Sequence, residues 1–154
     1  MKQAIIYSAI TMIGLYVAAL AYETIIDPVV DVVPVSSIAF CGARQPNTAT
    51  KTCIVDGDTL WLNGVNVRLK DFDTPEPRTD ICGGSTEVDL AHAATNRLYD
   101  LLNNNTWTIE TFGIDGTGKR RLATIEIAGE DIGDILIRER LARRWPDGDE
   151  FWCH

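Results

Sequence analysis

A chain of 154 residues has room for one folded domain and a leader, and its 45% apolar and 23% charged residues are those of a globular protein. That balance excludes a disordered or collagen-like chain. With 14 basic against 22 acidic residues and a net charge of −8, it also excludes a generally basic nucleic-acid binder, because such binding depends on Lys and Arg displacing counterions. Contact with phosphate must therefore rest on a local basic site or on bound cations.

Lys2 precedes an apolar run from Ala4 to Tyr22, broken only by Ser8, Thr11 and Gly14. A charged start, an apolar middle and the small-residue pattern Ala19-Leu20-Ala21 predict an export signal over residues 1–21, cleaved after Ala21. The run also approaches the ~20 residues that a spanning helix needs, so membrane anchoring through residues 4–22 stays open beside release. Residues 22–40, with Pro28 and Pro34 in a Val/Ile/Asp mixture lacking helical period, predict an extended linker.

The folded unit is expected over residues 41–154. Cys41, Cys53, Cys82 and Cys153 lack the C-x-x-C spacing of a zinc site, and an even count in a small exported domain predicts disulfides. Three pairings are possible. Cys41–Cys53 with Cys82–Cys153 is favoured, the second tying a loop near the candidate site to the C-terminal tail.

After a loop at Arg44 to Thr50, Thr52 to Val55 and Thr59 to Leu62 read as strands around the turn Asp56-Gly57. Asn63-Gly64 is the dipeptide of a two-residue hairpin turn. Val65, Val67 and Leu69 alternate with Asn66, Arg68 and Lys70, giving a strand with one apolar and one polar face. Ser85 to Asn103 reads as a helix, with Val88, Ala91, Ala94, Thr95, Leu98, Leu101 and Leu102 at helical spacing. Thr106 to Phe112 and Leu122 to Ile127 read as strands around the loop Gly113 to Lys119. Asp131 to Arg143 reads as a second helix, capped by Asp131 and closed by Arg143-Arg144, whose charges suit a helix C-terminus. The tail from Trp145 is expected to be irregular, with Trp145 and Trp152 covering the second helix and Trp61 and Trp107 in the core. Five strands, a helix after the third and another after the fifth give the order of a five-stranded OB-like Greek-key barrel with two or three helices, an α+β arrangement.

The chemistry concentrates in Asp56-Gly57-Asp58-Thr59, then Arg68, then Asp73-Thr74-Pro75-Glu76. Carboxylates at strand ends supply the oxygen donors of a hard cation such as Ca²⁺. Arg68, on the polar face of the strand between them, adds a cation suited to a phosphodiester. His92 lies within the first helix and is expected to be structural or solvated.

The set D-G-D-T, R-L-x-x-x-D-T-P-E and a late G-K-R-R-L-A resembles the staphylococcal nuclease (thermonuclease) family, in particular its exported bacterial members. The closing L-A-R-R-W and W-C elements resemble the same subgroup. The resemblance implies that Asp58 and Asp73 hold Ca²⁺ with the Thr74 carbonyl, and that Asp56 supports that shell. It implies that Glu76 orients or deprotonates the attacking water and that Arg68 and Arg120 bind the scissile phosphate. DNA and RNA would be cut to 3′-phosphate and 5′-hydroxyl ends by a monomer. The sequence departs from the family in lacking the tyrosine and glycine just before Arg120, and Arg121 is the alternative ligand; alternation along the strand favours Arg120.

Other readings fit parts of the sequence. Cys53 to Thr59 also fits the D-x-D-x-T start of haloacid-dehalogenase phosphatases. However, Asn63-Gly64 turns the next strand straight back where that fold needs a helical crossover. A non-catalytic OB-type module of the cell envelope that binds oligonucleotide is the second.

Overall fold

A computed structural model describes residues 30–33 and 37–154. The leader expected over residues 1–21, the anchor expected over 4–22 and most of the linker lie outside the described residues.

The first strand, β1 (Val30–Val33), falls inside the expected linker and pairs antiparallel with a strand far along the chain. β2 (Ala39–Phe40) pairs in parallel with β3 (Cys53–Ile54). Ile38, just before β2, is buried, and its N–H and C=O both bond the side chain of Asn103 at 2.7 and 3.0 Å. At both places the backbone of the expected linker bonds to partners remote in sequence. β4 (Thr59–Leu62) and β5 (Val65–Leu69) form the expected hairpin, with Asn63 and Gly64 both at positive φ in its turn. Val67 and Leu69 are buried as the alternation requires, whereas Val65 is exposed beside the turn. β6 (Phe72–Asp73) follows.

The first helix, α1 (Gly84–Asn104), buries Ala91, Ala94, Leu98, Leu101 and Leu102 on one face. Each buried leucine contributes about 2 kcal/mol. The helix stops where asparagine side chains compete for its carbonyls: Asn103 Nδ2 donates to Tyr99 O and Asn105 Nδ2 to Leu101 O, both at 2.9 Å. β7 (Trp107–Ile114) and β8 (Arg121–Ile127) pair antiparallel with a register shift between Thr111 and Ile114, and β9 (Glu130–Asp131) continues from β8.

The second helix, α2 (Ile132–Arg138), is capped as expected, Asp131 accepting the Gly133 N–H at 2.7 Å. It is shorter than expected. The chain reverses at Arg140 (φ 60°), and β10 (Arg143–Arg144) pairs antiparallel with β6 instead of prolonging the helix. A short 3-10 turn, Phe151–Cys153, ends the chain against α1 rather than α2, with Trp152 buried there.

The protein is therefore mixed α+β: two helices and an eight-stranded sheet of order β1-β7-β8-β5-β4-β3-β2, with β9 on β8. The five strands expected correspond to β3, β4, β5, β7 and β8. No pairing joins β1 to β2 among the described residues. One buried cluster, from Ile54 and Leu60 through Leu98 and Trp107 to Ile125 and Leu136, lies between sheet and helices.

Cys41 is bonded to Cys53 and Cys82 to Cys153, leaving no free cysteine. Two structural disulfides belong to an oxidising compartment. No helix among the described residues is long and apolar enough to cross a membrane.

Candidate functional site

Asp58 lies at the entry to β4, in a turn where the N–H groups of Val55 and Asp56 both donate to Thr59 O. Asp56 Oδ1 accepts the Asp58 N–H at 3.3 Å and shapes that turn. Gly57 is needed between them: a Cβ there would lie 2.8 Å from Thr74 Cγ2 and 2.9 Å from Ala94 Cβ. The turn thereby packs against α1, and Asp58 becomes 1% exposed.

A carboxylate so buried must be paired or hydrogen-bonded, and both oxygens are. Oδ1 accepts from Arg68 Nη1 and from the Thr59 hydroxyl (2.9 Å); Oδ2 accepts from the Thr74 N–H and hydroxyl, both at 3.2 Å. Burial still pushes its pKa up to about 7, against the opposing pull of Arg68, and Asp56 adds to the rise.

Arg68 is placed by the hairpin, opposite Thr59 on β4 and Leu122 on β8. Its second nitrogen, Nη2, donates to Asp73 Oδ1 at 2.8 Å, so one guanidinium joins two carboxylates. Asp73 Oδ2 is held by Arg143, whose Nε and Nη2 both reach it at 3.2 Å. Arg143 also donates to Gly148 O (2.9 Å) and pairs with Glu150 (2.6 Å). The sequence suggested that Arg143 closes a helix; it instead ties Asp73 to the C-terminal tail.

A cavity of about 440 Å³ is lined by Arg68, Asp73, Arg120, Leu122 and Trp145 together with the loop at Asp115. Trp145, expected to cover α2, is an exposed wall of this cavity. Arg120 is anchored there by Asp115, whose Oδ2 accepts its Nε at 2.7 Å. Asp115 Oδ1 accepts from the Thr117 hydroxyl (2.7 Å) and from the N–H groups of Thr117, Lys119 and Arg120. Those donors, the Thr117 hydroxyl foremost, hold the Asp115 carboxyl well below the usual carboxylate range. Arg121, the alternative, points elsewhere and donates to Phe112 O.

Asp56, Asp58, Thr74 and Glu76 are not in the cavity lining. Asp58 reaches it through Arg68. Glu76 is close enough for the charges of Asp56, Arg68 and Asp73 to act on it; burial first, then Asp56, raises its pKa. His92 is exposed.

The donors expected to hold Ca²⁺ fit it in kind. They are hard oxygens: Asp58 and Asp73 share Arg68, and the charges of Asp56 and Asp73 act on Glu76. Arg68 stands between Asp58 and Asp73, so a cation shared by those two would take over part of its role. Among the described residues, the only three ligand groups brought together as for a metal are Cys82, Glu150 and Cys153. That group is no metal site, because its two sulfurs are bonded to each other.

No family model matches the chain, and no curated protein matches it in sequence.

Two residues that hold the site, Asp115 and Arg143, are not marked as site residues by the sequence motifs. Only Asp115 carried a local signal, since Asp-x-Thr before a strand is a side-chain-to-backbone turn pattern.

Proposed function

We propose that this chain is an exported, calcium-dependent phosphodiesterase of the staphylococcal-nuclease type, which hydrolyses DNA or RNA to 3′-phosphate and 5′-hydroxyl ends. The observation that carries the reading is the cavity on which Arg68, Asp73 and Arg120 meet, with Asp58 held behind Arg68.

Attack on a phosphodiester builds negative charge on the non-bridging oxygens, and groups placed to offset it lower the barrier most. Arg68 and Arg120 flank the space where those oxygens would sit. Each guanidinium has five N–H donors, so the pairs with Asp58, Asp73 and Asp115 leave others for phosphate. Asp58, Asp73 and the Thr74 carbonyl would hold Ca²⁺, with Asp56 shaping the turn. When bound, the ion neutralises the same developing charge. Glu76, with its pKa raised by burial, would take the proton of the attacking water.

An OB-like barrel is supported by the order of the sheet. Its two ends, β1 and β2, are joined by the six-residue step from Val33 to Ala39, which spans at most about 20 Å. Seven strands laid flat would put those ends roughly 29 Å apart. A curled sheet, as in a barrel, would bring those edges closer. Export is supported by the leader pattern of residues 1–21 and by the two disulfides.

A second reading, an oligonucleotide-binding module that does not cut, is favoured by one observation: Arg68 already satisfies the two carboxylates that would share a cation. Glu76→Ala separates the two readings. The enzyme reading expects single-stranded DNA cleavage to fall at least about a hundredfold with oligonucleotide binding retained. Cleavage equal to the parent's removes Glu76 from the mechanism, and binding without cleavage in the parent favours the module.

A further inference from the structure

Glu87 sits in the first turns of α1 and is 1% exposed, yet none of the cavity chemistry uses it. Its carboxylate accepts three backbone N–H groups. Oε1 takes that of Glu76 at 3.3 Å; Oε2 takes those of Cys82 and Gly83 at 3.1 and 2.9 Å. Burying a carboxylate costs several kcal/mol unless such donors surround it. Here every backbone donor comes from the two ends of one loop. Residues 77–81 between those ends are all exposed, so the core does little to hold them. Gly83, the N-cap residue, makes no side-chain capping bond; Glu87 reaches back from within the helix and serves instead.

We propose that Glu87 is a positioning residue for Glu76. One carboxylate grips the backbone of Glu76 on one oxygen and the return of the loop on the other, fixing the point from which the Glu76 side chain reaches the reacting water. The inference rests on the phosphodiesterase reading. Arg68 is held by Asp58 and Asp73, and Arg120 by Asp115, so Glu87 acts on the base and leaves the phosphate and cation groups alone. A misplacement of about 1 Å at a reacting group can cost a hundredfold in rate.

Glu87→Gln keeps the shape but turns one acceptor into a donor facing N–H groups. With single-stranded DNA and calcium, kcat should fall about ten- to a hundredfold, while KM and the half-saturating calcium concentration stay within about twofold. In a Glu76→Ala background the same change should cause no further loss, because the two residues act as one unit. Parental kcat in Glu87→Gln, or an equal loss in both backgrounds, overturns the proposal; so does a lowered Tm with kcat unmoved well below it. If the glutamine variant does not fold, hydrogen exchange in the parent carries the test. The N–H groups of Glu76, Cys82 and Gly83 should exchange at least about tenfold more slowly than those of exposed Thr79 and Asp80, and equal exchange overturns the assignment. A parent that does not cut removes the phosphodiesterase reading and the positioning role with it. A parent that cuts while Glu87→Gln matches it removes the positioning role alone.

Discussion

Two arginines line one cavity, and they are held in opposite ways. Arg68 belongs to the floor: it lies on a strand paired on both sides, between a buried aspartate and a second aspartate that Arg143 also grips. Arg120 belongs to the lip: it leaves an exposed loop and depends on one aspartate, which itself depends on the local turn. The floor couples charge to the stability of the whole domain. The lip can change its grip on a ligand without disturbing the core. One cavity thus joins a costly, fixed charge network to an inexpensive, adjustable one.

The largest effect should come from breaking the floor. Arg68→Ala leaves Asp58 buried without its cation, and removing one partner of a buried pair costs about 3 kcal/mol, read from the urea midpoint. Cleavage should fall about a thousandfold. The pH dependence gives a further check. The folded-state pKa of Asp58 is raised to about 7 from 3.8, so its preference for the protonated form stabilises the fold fully below pH 3.8, and that stabilisation is lost as pH rises through 7. Arg68 opposes that rise, so in Arg68→Ala the carboxyl should protonate at a still higher pH, and the penalty should shrink as pH falls toward 7 and be smallest below it. For the same reason the calcium concentration needed for half-maximal activity should rise there, since proton and cation compete for one carboxylate. A penalty independent of pH would separate Asp58 from Arg68.

Breaking the lip should cost less and differently. Asp115→Ala should lower kcat/KM about tenfold by freeing Arg120, with little change in the urea midpoint. The Asp115 pKa is depressed, so its contribution is present above the ordinary carboxylate value and is lost only as pH falls below it. Between pH 5 and 8, roughly the usual range of maximal stability, the floor should titrate while the lip does not. Arg121→Ala should be the smallest change, within about twofold on kcat/KM. A loss as large as that of Asp115→Ala would move the phosphate contact from Arg120 to Arg121.

The floor was far more legible in the sequence than what supports it. D-G-D-T, the Asn63-Gly64 turn and the alternation of β5 place Asp58 and Arg68 by local rules, and the leucine spacing of α1 is equally local. β1 is hidden in the sequence because Pro28 and Pro34 flank it and its partner, β7, lies more than seventy residues away. Arg143 looked like a helix-closing charge, since nothing nearby reveals that it pairs with Asp73, seventy residues earlier. Glu87 lies within the helical pattern, and nothing local reveals that its bonds reach back to the loop that carries Glu76. Sequence patterns report short-range periodicity and turn chemistry; they do not report which distant backbone a charged side chain will bind.

The central claim is that this cavity cuts phosphodiesters with calcium. The most direct measurement is cleavage of single-stranded DNA by the purified chain, with calcium or with a chelator, followed by analysis of the new ends. The account predicts cleavage with calcium that leaves 3′-phosphate and 5′-hydroxyl ends and stops in chelator. No cleavage in calcium, or cleavage that chelation does not affect, would contradict it.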